Sequence, residues 1–364
     1  MIVFNISHFV TATMNENPEE KALDQTRANS SSGKPHKQVD LSLPSPTEGL
    51  RAERLSSKGE GGSEDDNEEN GKEFDWKSID AKEIEVNLNH FRIRAIGDLS
   101  HLTNVELISF RNNLIKDIEN LEPLTRLREL ELYDNQITTI KNLDKLVNLE
   151  ILDLSFNRIK KIENLGSLIN LRKLYLVNNR IEKIENLDAL VNLDMLELGS
   201  NRIRKIENLD KLVNVKELYL GKNKIARLEN LDCLRNLELL SIQSNRILKI
   251  ENLDANTKLA HLYLSHNGVE RIENLDKNLL LETLDLAENH IERIENISRL
   301  KQIEELWLND NKISSWSQVD ELKELPKLKT VYLERNPIQK ETMYRKKLML
   351  IAPTLTEIDS VACK

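Results

Sequence analysis

The chain has two cysteines in 364 residues, Cys233 and Cys363, with no clustered spacing. A disulfide framework is therefore excluded, and the usage suits a reducing compartment. Aromatic residues make up only 4% of a chain that is 39% apolar. An ordinary globular core would draw on more of them, so the leucine- and isoleucine-rich bias points to a repetitive architecture. No apolar run is long enough to cross a bilayer as a helix. The opening "MIVFNISHFV" (1–10) has no basic leader and no small-residue cleavage site, so it does not read as a signal peptide.

Charge is unevenly spread. Of the formal net charge of −9, residues 1–85 carry 10 basic against 18 acidic side chains, and residues 86–364 carry 42 against 43. Neither part is a general polyanion binder. Residues 1–75 are rich in Ser, Glu, Asn, Gly and Lys and include "EGGSEDDNEENGKE" (60–73). Such a stretch cannot bury enough apolar surface to offset the entropy of ordering it, so this acidic tail is expected to be disordered.

From Val86 onward the chain repeats the pattern LxxLxLxxNxIxxIENLxxLxN. Examples are "LEILDLSFN" (149–157), "LRKLYLVNN" (171–179) and "LDMLELGSN" (193–201). The second apolar residue of each LxL falls at 88, 110 and every 22 residues to 308, then at 333. Twelve units in fixed register define a leucine-rich repeat. The expected fold is an α/β solenoid, a horseshoe of twelve mostly 22-residue repeats over 76–339. LxL is a short strand in a parallel concave sheet. The following Asn satisfies backbone groups that have left the sheet. The convex segment is too short for more than a 3₁₀ turn. Repeats cannot bury their leucines alone, so both ends need caps. "FDWKSIDAKEI" (74–84) is the N-terminal candidate, with Trp76 as a packing residue. Residues 340–364 form the C-terminal cap, beginning with an amphipathic helix over 340–351 that ends before Pro353. Trp316 is expected to pack on the convex side.

The residue between the two leucines repeats with the core without joining it, so it faces the concave surface. Among the twelve such positions are Asp153, Tyr175, Glu197, Tyr219, Tyr263, Asp285, Trp307 and Tyr332, and none of the twelve is Lys or Arg. Five of the nine Tyr and Trp residues in the chain occupy this one column. A general preference of aromatics for strands would scatter them over all strand positions. Aromatics dominate interface energetics, and acidic neighbours select a basic partner. Twelve strands about 4.8 Å apart span on the order of 50 Å, the scale of a protein domain rather than a metabolite.

Nucleic acid is disfavoured by the acidic concave column. Basic residues after the ladder Asn, as in "NRIKK" (157–161) and "NRIRK" (201–205), are expected to pair with the recurrent Glu of "IEN" in a solvated rim. The histidines show no metal-ligand spacing with the cysteines, so no metal, cofactor or catalytic centre is expected.

Beyond the generic consensus, "ELYDNQI" (131–137), "MLELGSNRIR" (195–204), "LGKNKI" (220–225), "LYLSHNG" (262–268), "WSQVDELK" (316–323) and "TVYLERNP" (330–337) resemble the leucine-rich-repeat regulators of protein phosphatase 1, the regulatory subunit 7 family. The resemblance runs from about residue 84 to 361. It implies a non-catalytic regulator that binds the phosphatase catalytic subunit through its concave face. The residues it implies as contacts are Asp153, Tyr175, Glu197, Tyr219, Asp285, Glu305, Trp307 and Tyr332. It further implies a nuclear and cytoplasmic location and a ternary complex with a small phosphatase inhibitor protein. A different function remains open from the repeats alone, a scaffold in a spliceosomal or ciliary assembly.

Overall fold

The computed structural model describes residues 74–363, so the acidic tail expected over 1–75 lies almost wholly outside the described residues. Twelve three-residue strands, from Glu85–Asn87 (β1) to Thr330–Tyr332 (β12), pair in parallel in chain order. The register advances by one repeat at each step, as in Leu152↔Leu174, and absorbs the longer last unit as Leu306↔Val331. Two short strands, Glu357–Ile358 (β13) and Val361–Ala362 (β14), finish the sheet, β13 parallel to β12 and β14 antiparallel to β13.

The leucines and isoleucines of the consensus form one continuous core. Leu174, Leu176, Ile181, Ile184, Leu187, Leu190 and Leu193 of a central repeat are each 0% exposed. All belong to one cluster that runs from repeat to repeat, so stability accumulates by nearest-neighbour burial.

The abundance of Asn resolves into three rows rather than the single expected ladder. In the first, Asn179 accepts a hydrogen bond from Ile159 N (3.0 Å) and donates to Leu154 O (3.0 Å) and Leu176 O (3.2 Å), linking adjacent turns. In the second, the Asn of "IEN" takes a left-handed backbone, φ 59° at Asn186, and donates to Ile162 O at 2.7 Å. Asn is the side-chain-bearing residue that best tolerates this conformation, and here its amide also caps a carbonyl of the previous turn. In the third, Asn192 donates to Ile169 O at 2.9 Å on the flank before the strands.

The convex path is built of short 3₁₀-type turns, as expected. In the 22-residue units it makes two end-to-end turns, as in Leu168 N to Leu165 O and Leu171 N to Leu168 O, each 3.0 Å. True 3₁₀ segments lie in the longer last unit, Trp316–Gln318 and Asp320–Glu324, and in the two caps. Three extra residues are what provide the length for them.

In the N-terminal cap the Phe74 ring lies 4.9 Å from Trp76 and 5.3 Å from Phe91. Trp76 covers the end of the core and rests flat on Gly97, where an added Cβ would lie 2.2 Å from the indole. Gly97→Ala should therefore expel Trp76, cost about 1–3 kcal/mol and red-shift the tryptophan emission. An unchanged melting temperature would refute this role.

At the other end the helix is shorter than 340–351. Pro337–Lys340 form a 3₁₀ turn, the chain extends at Glu341, and Met343 is left-handed at φ 66°. Helix α1 begins only at Tyr344 and runs to Ile351, with Tyr344 and Leu348 buried. Arg345 ties α1 to the terminal hairpin by donating to Ile358 O (2.6 Å) and Val361 O (3.0 Å). Trp316 packs 6.3 Å from Tyr344, with Lys347 Nζ 4.8 Å from its ring centre.

Candidate functional site

The concave sheet offers three parallel columns, because each three-residue strand alternates and the next residue returns to the same side. The middle column holds the residues singled out by the repeat. Tyr175, Glu197, Tyr219, Tyr263, Trp307 and Tyr332 are half-buried on this face, as is Glu305 in the column before it. Asp153 and Asp285 stand in the same column but are buried, at 8% and 4% exposed. Their short side chains fold back onto the chain: Asp153 Oδ1 accepts from Ser155 N (2.9 Å) and Asp285 Oδ1 from Ala287 N (3.0 Å). Both carboxylates thus turn the strand end as well as charging the face.

The C-terminal part of the face is an aromatic row. Trp307 lies 6.2 Å from Tyr263 and 5.7 Å from Tyr332, each edge to face. The Asp285 strand runs between those of Tyr263 and Trp307, so their rings wall its carboxyl in. Tyr332 Oη donates to Glu357 Oε1 at 2.9 Å, which fixes the last ring against the cap. Trp307 Nε1 is buried without a hydrogen-bond partner among the described residues.

The middle of the face is shallower. Gly199 and Gly221 stand in the third column, beside Glu197 and Tyr219. A Cβ at Gly199 would come within 2.8 Å of Glu197 Oε1. The space that a side chain at Gly199 would take is thus filled by the Glu197 carboxylate. Tyr219 Oη is held by Glu217 Oε2 at 2.8 Å.

Toward the N-terminus a residue outside the aromatic–acidic column decides the charge. Arg111 pairs with Glu131 at 2.7 Å and reaches Asp153 at 3.7 Å, so part of the negative charge at this end is offset. Arg111 stands in the third column, where its neighbours are Tyr133 and Ser155. A one-column sequence inspection does not register it; only the three-column width of the sheet does. Glu129 and Glu217, one position before the marked column, were likewise not singled out, and they add carboxylates to the same face.

Burial raises the proton affinity of this surface. It pushes the Glu197 carboxyl up to about 7, partly opposed by the Gly199 N–H, and the Asp285 carboxyl up to about 6, opposed by Ser265. Tyr175 and Tyr263 are each pushed up to about 12 by burial and nearby carboxylates, so they stay neutral donors. Unfolded carboxyls titrate near 4. A folded-state value above the unfolded one means stability that is complete below about pH 4 and lost as pH rises through about 6 and 7. Between pH 5 and 8 the wild type should therefore lose on the order of a few kcal/mol that a Glu197→Gln, Asp285→Asn double variant does not lose. Parallel stability curves for the two proteins would disprove it. Above pH 7 the face carries buried negative charge, which a basic partner surface would relieve.

Among the described residues no group of three or more His, Cys, Asp or Glu is placed to hold a metal ion. His266 is engaged with Glu288 at 2.8 Å, and His261 contacts Thr283 Oγ1 at 3.2 Å.

Models of leucine-rich repeats in two copies match residues 125–167, 169–211 and 191–233, and a further leucine-rich repeat model matches 240–361. The chain is 56% identical over 46 residues to protein phosphatase 1 regulatory subunit 7 of Homo sapiens, and 54% identical over 45 residues to that of Danio rerio. The human match covers 13% of this chain and 13% of the relative, so it spans about an eighth of either protein. Among solved structures, an internalin (inlF) of Listeria monocytogenes superposes with a TM-score of 0.65 at 22% identity, covering 79% of this chain and 88% of that one. A leucine-rich repeat protein of Leptospira interrogans gives 0.64 at 21% identity, covering 74% of this chain and 82% of that one. At these identities the likeness is one of fold.

Proposed function

The chain belongs to the leucine-rich repeat proteins, and we propose that its concave face binds the catalytic subunit of protein phosphatase 1 as a non-catalytic regulatory subunit. A sheet of this width, with half-buried rings and carboxylates, suits protein–protein recognition. The observation that carries the specific partner is the aromatic–acidic column from Asp153 to Tyr332, in a chain locally similar to a named regulator of that phosphatase. Trp307 is the anchor. Its ring is braced on both sides by Tyr263 and Tyr332, so little side-chain entropy is lost on binding. Glu305 stands two residues before it on the same face, and Glu197 and Tyr219 extend the contact toward the middle of the face. Control of the phosphatase's activity, maturation or location, a ternary complex with a small inhibitor protein, and a nuclear and cytoplasmic setting belong to the same proposal.

The test is direct binding of purified phosphatase catalytic subunit. Wild type should bind, and Trp307→Ala should lose about 2 kcal/mol of affinity, roughly 30-fold, with its circular dichroism retained. Absence of binding by wild type would reject the partner and favour a scaffold role in another assembly. Undiminished binding by Trp307→Ala would reject the concave anchor.

A further inference from the structure

The basic residues that follow the ladder Asn do not form the uniformly paired rim that their alternation with Glu suggests. They divide into two lines with different surroundings. Most of the convex line is paired: Arg227 meets Glu251 at 3.1 Å, Arg271 meets Glu295 at 2.9 Å, and Lys161 and Lys183 approach Glu163 and Glu185 at 3.9 and 3.8 Å. The other line is Arg158, Arg180, Arg202, Lys224 and Arg246, one per repeat over five consecutive repeats. Its only ion pair among the described residues is Arg202 to Glu182, at the limiting distance of 4.0 Å. Four of the five are exposed and Lys224 is half-buried.

The backbone holds this line in place. Arg158 N donates to Ile137 O, Arg180 N to Ile159 O, Arg202 N to Ile181 O, Lys224 N to Ile203 O and Arg246 N to Ile225 O, all at 2.8 Å. Each of these residues follows a ladder Asn that is itself clamped between turns. The five Cα atoms therefore form a rigid row, spaced about 5 Å and running about 20 Å along the flank where the strands end. An open cavity of ≈ 390 Å³ lies along its first three members, lined by Arg158, Arg180 and Arg202 with Phe156, Asn179 and, at its N-terminal end, the carboxylate of Asp134. In a chain of net charge −9, five cations fixed at one-repeat spacing, with one limiting-distance ion pair among them, repel one another.

We propose that Arg158, Arg180, Arg202, Lys224 and Arg246 form a docking stripe for an acidic, extended segment of a partner protein. The width of the stripe selects this occupant. It is a single side chain across, with the concave carboxylates Asp153 and Glu197 on one side and the Glu163, Glu185 and Glu251 line on the other. A nucleic acid duplex would lay phosphates over both carboxylate lines. A single strand would need exposed rings to stack on, and the one ring present, Phe156, is packed 4.7 Å from Tyr133. One extended peptide with Asp or Glu side chains fits between the two lines, and the guanidinium forks suit bidentate capture of carboxylates. This surface is separate from the concave column, so the inference stands or falls independently of the phosphatase proposal.

The test uses the full chain with a fluorescent oligoglutamate peptide and, in parallel, a labelled DNA duplex, at about 50 mM and about 200 mM salt. The peptide should bind at low salt and weaken at high salt. Arg158→Glu combined with Arg180→Glu and Arg202→Glu should reduce peptide affinity at least about tenfold without lowering the melting temperature. Trp307→Ala should leave peptide binding unchanged. No peptide binding by wild type, or equal binding by the triple variant, overturns the stripe. Tighter binding of the duplex than of the peptide, lost in the triple variant, overturns the occupant in favour of nucleic acid.

Discussion

Replacing Asn179 with alanine should destabilise the solenoid by about 2–4 kcal/mol, a large effect for one polar side chain. The three carbonyls that Asn179 serves all keep another donor. Leu154 O is still reached by Asn157, Leu176 O by Asn201, and Val177 O by Phe156 N. The damage falls on Ile159 N, which is left buried and unpaired, and on the cavity where the amide stood. Asn179→Asp separates the two halves of the amide. It keeps the acceptor for Ile159 N but turns an oxygen toward the carbonyls of Leu154, Leu176 and Val177. At neutral pH it should cost more than alanine. Urea unfolding of both variants checks the order, and a loss below about 1 kcal/mol for alanine, or a milder effect for aspartate, would show the ladder to be dispensable. Because the site is central, a severe variant should also split the transition in two, as adjoining repeats lose their coupling.

The second large effect has the opposite sign. Asn256 and Asn278 occupy the core position held by Leu212, Leu234 and Leu300 in neighbouring repeats, and each is 0% exposed. Their Nδ2 atoms donate, Asn256 to Leu231 O (3.0 Å) and Leu234 O (2.9 Å), Asn278 to Leu253 O and Asn256 O (both 3.0 Å). Both Oδ1 atoms lack a partner. The carbonyls do not depend on these amides, because the convex turns already supply them with N–H donors, Leu234 N to Leu231 O and Leu237 N to Leu234 O. Asn256→Leu with Asn278→Leu removes two buried orphan oxygens and continues the leucine column. Stability should rise by about 2 kcal/mol or more, seen as a higher urea midpoint at unchanged slope. A lower midpoint would mean the local spacing has adapted to the smaller amides and cannot admit leucine.

These two predictions mark the boundary between what is legible in the order of residues and what is not. The 22-residue period and the alternation within LxL determine the solenoid, its parallel sheet and the column that contains Tyr175, Glu197, Tyr219, Tyr263, Trp307 and Tyr332. That information is local and repeated, so the chain states it many times over. The first Asn row was also legible, since a polar residue at fixed distance from a strand has backbone groups to satisfy. Asn256 and Asn278 were not, because a polar residue in an apolar column looks like any other irregularity until its burial is known.

Distances between repeats, and between columns, exist only once the solenoid closes. Stacking puts Arg111 beside Glu131 and Asp153, which offsets part of the charge at one end of a face whose marked column holds no cation. It lets Asp153 and Asp285 fold back into the sheet, while Trp307, too large to do so, stays half out between two tyrosines. It also separates two lines of basic residues that sit only three positions apart in sequence, pairing one with glutamates and leaving Arg158, Arg180 and Arg246 bare. The period fixes which residues share a line, and only the packed turns decide which charges meet, because charge pairing depends on separations of a few ångströms across the stack.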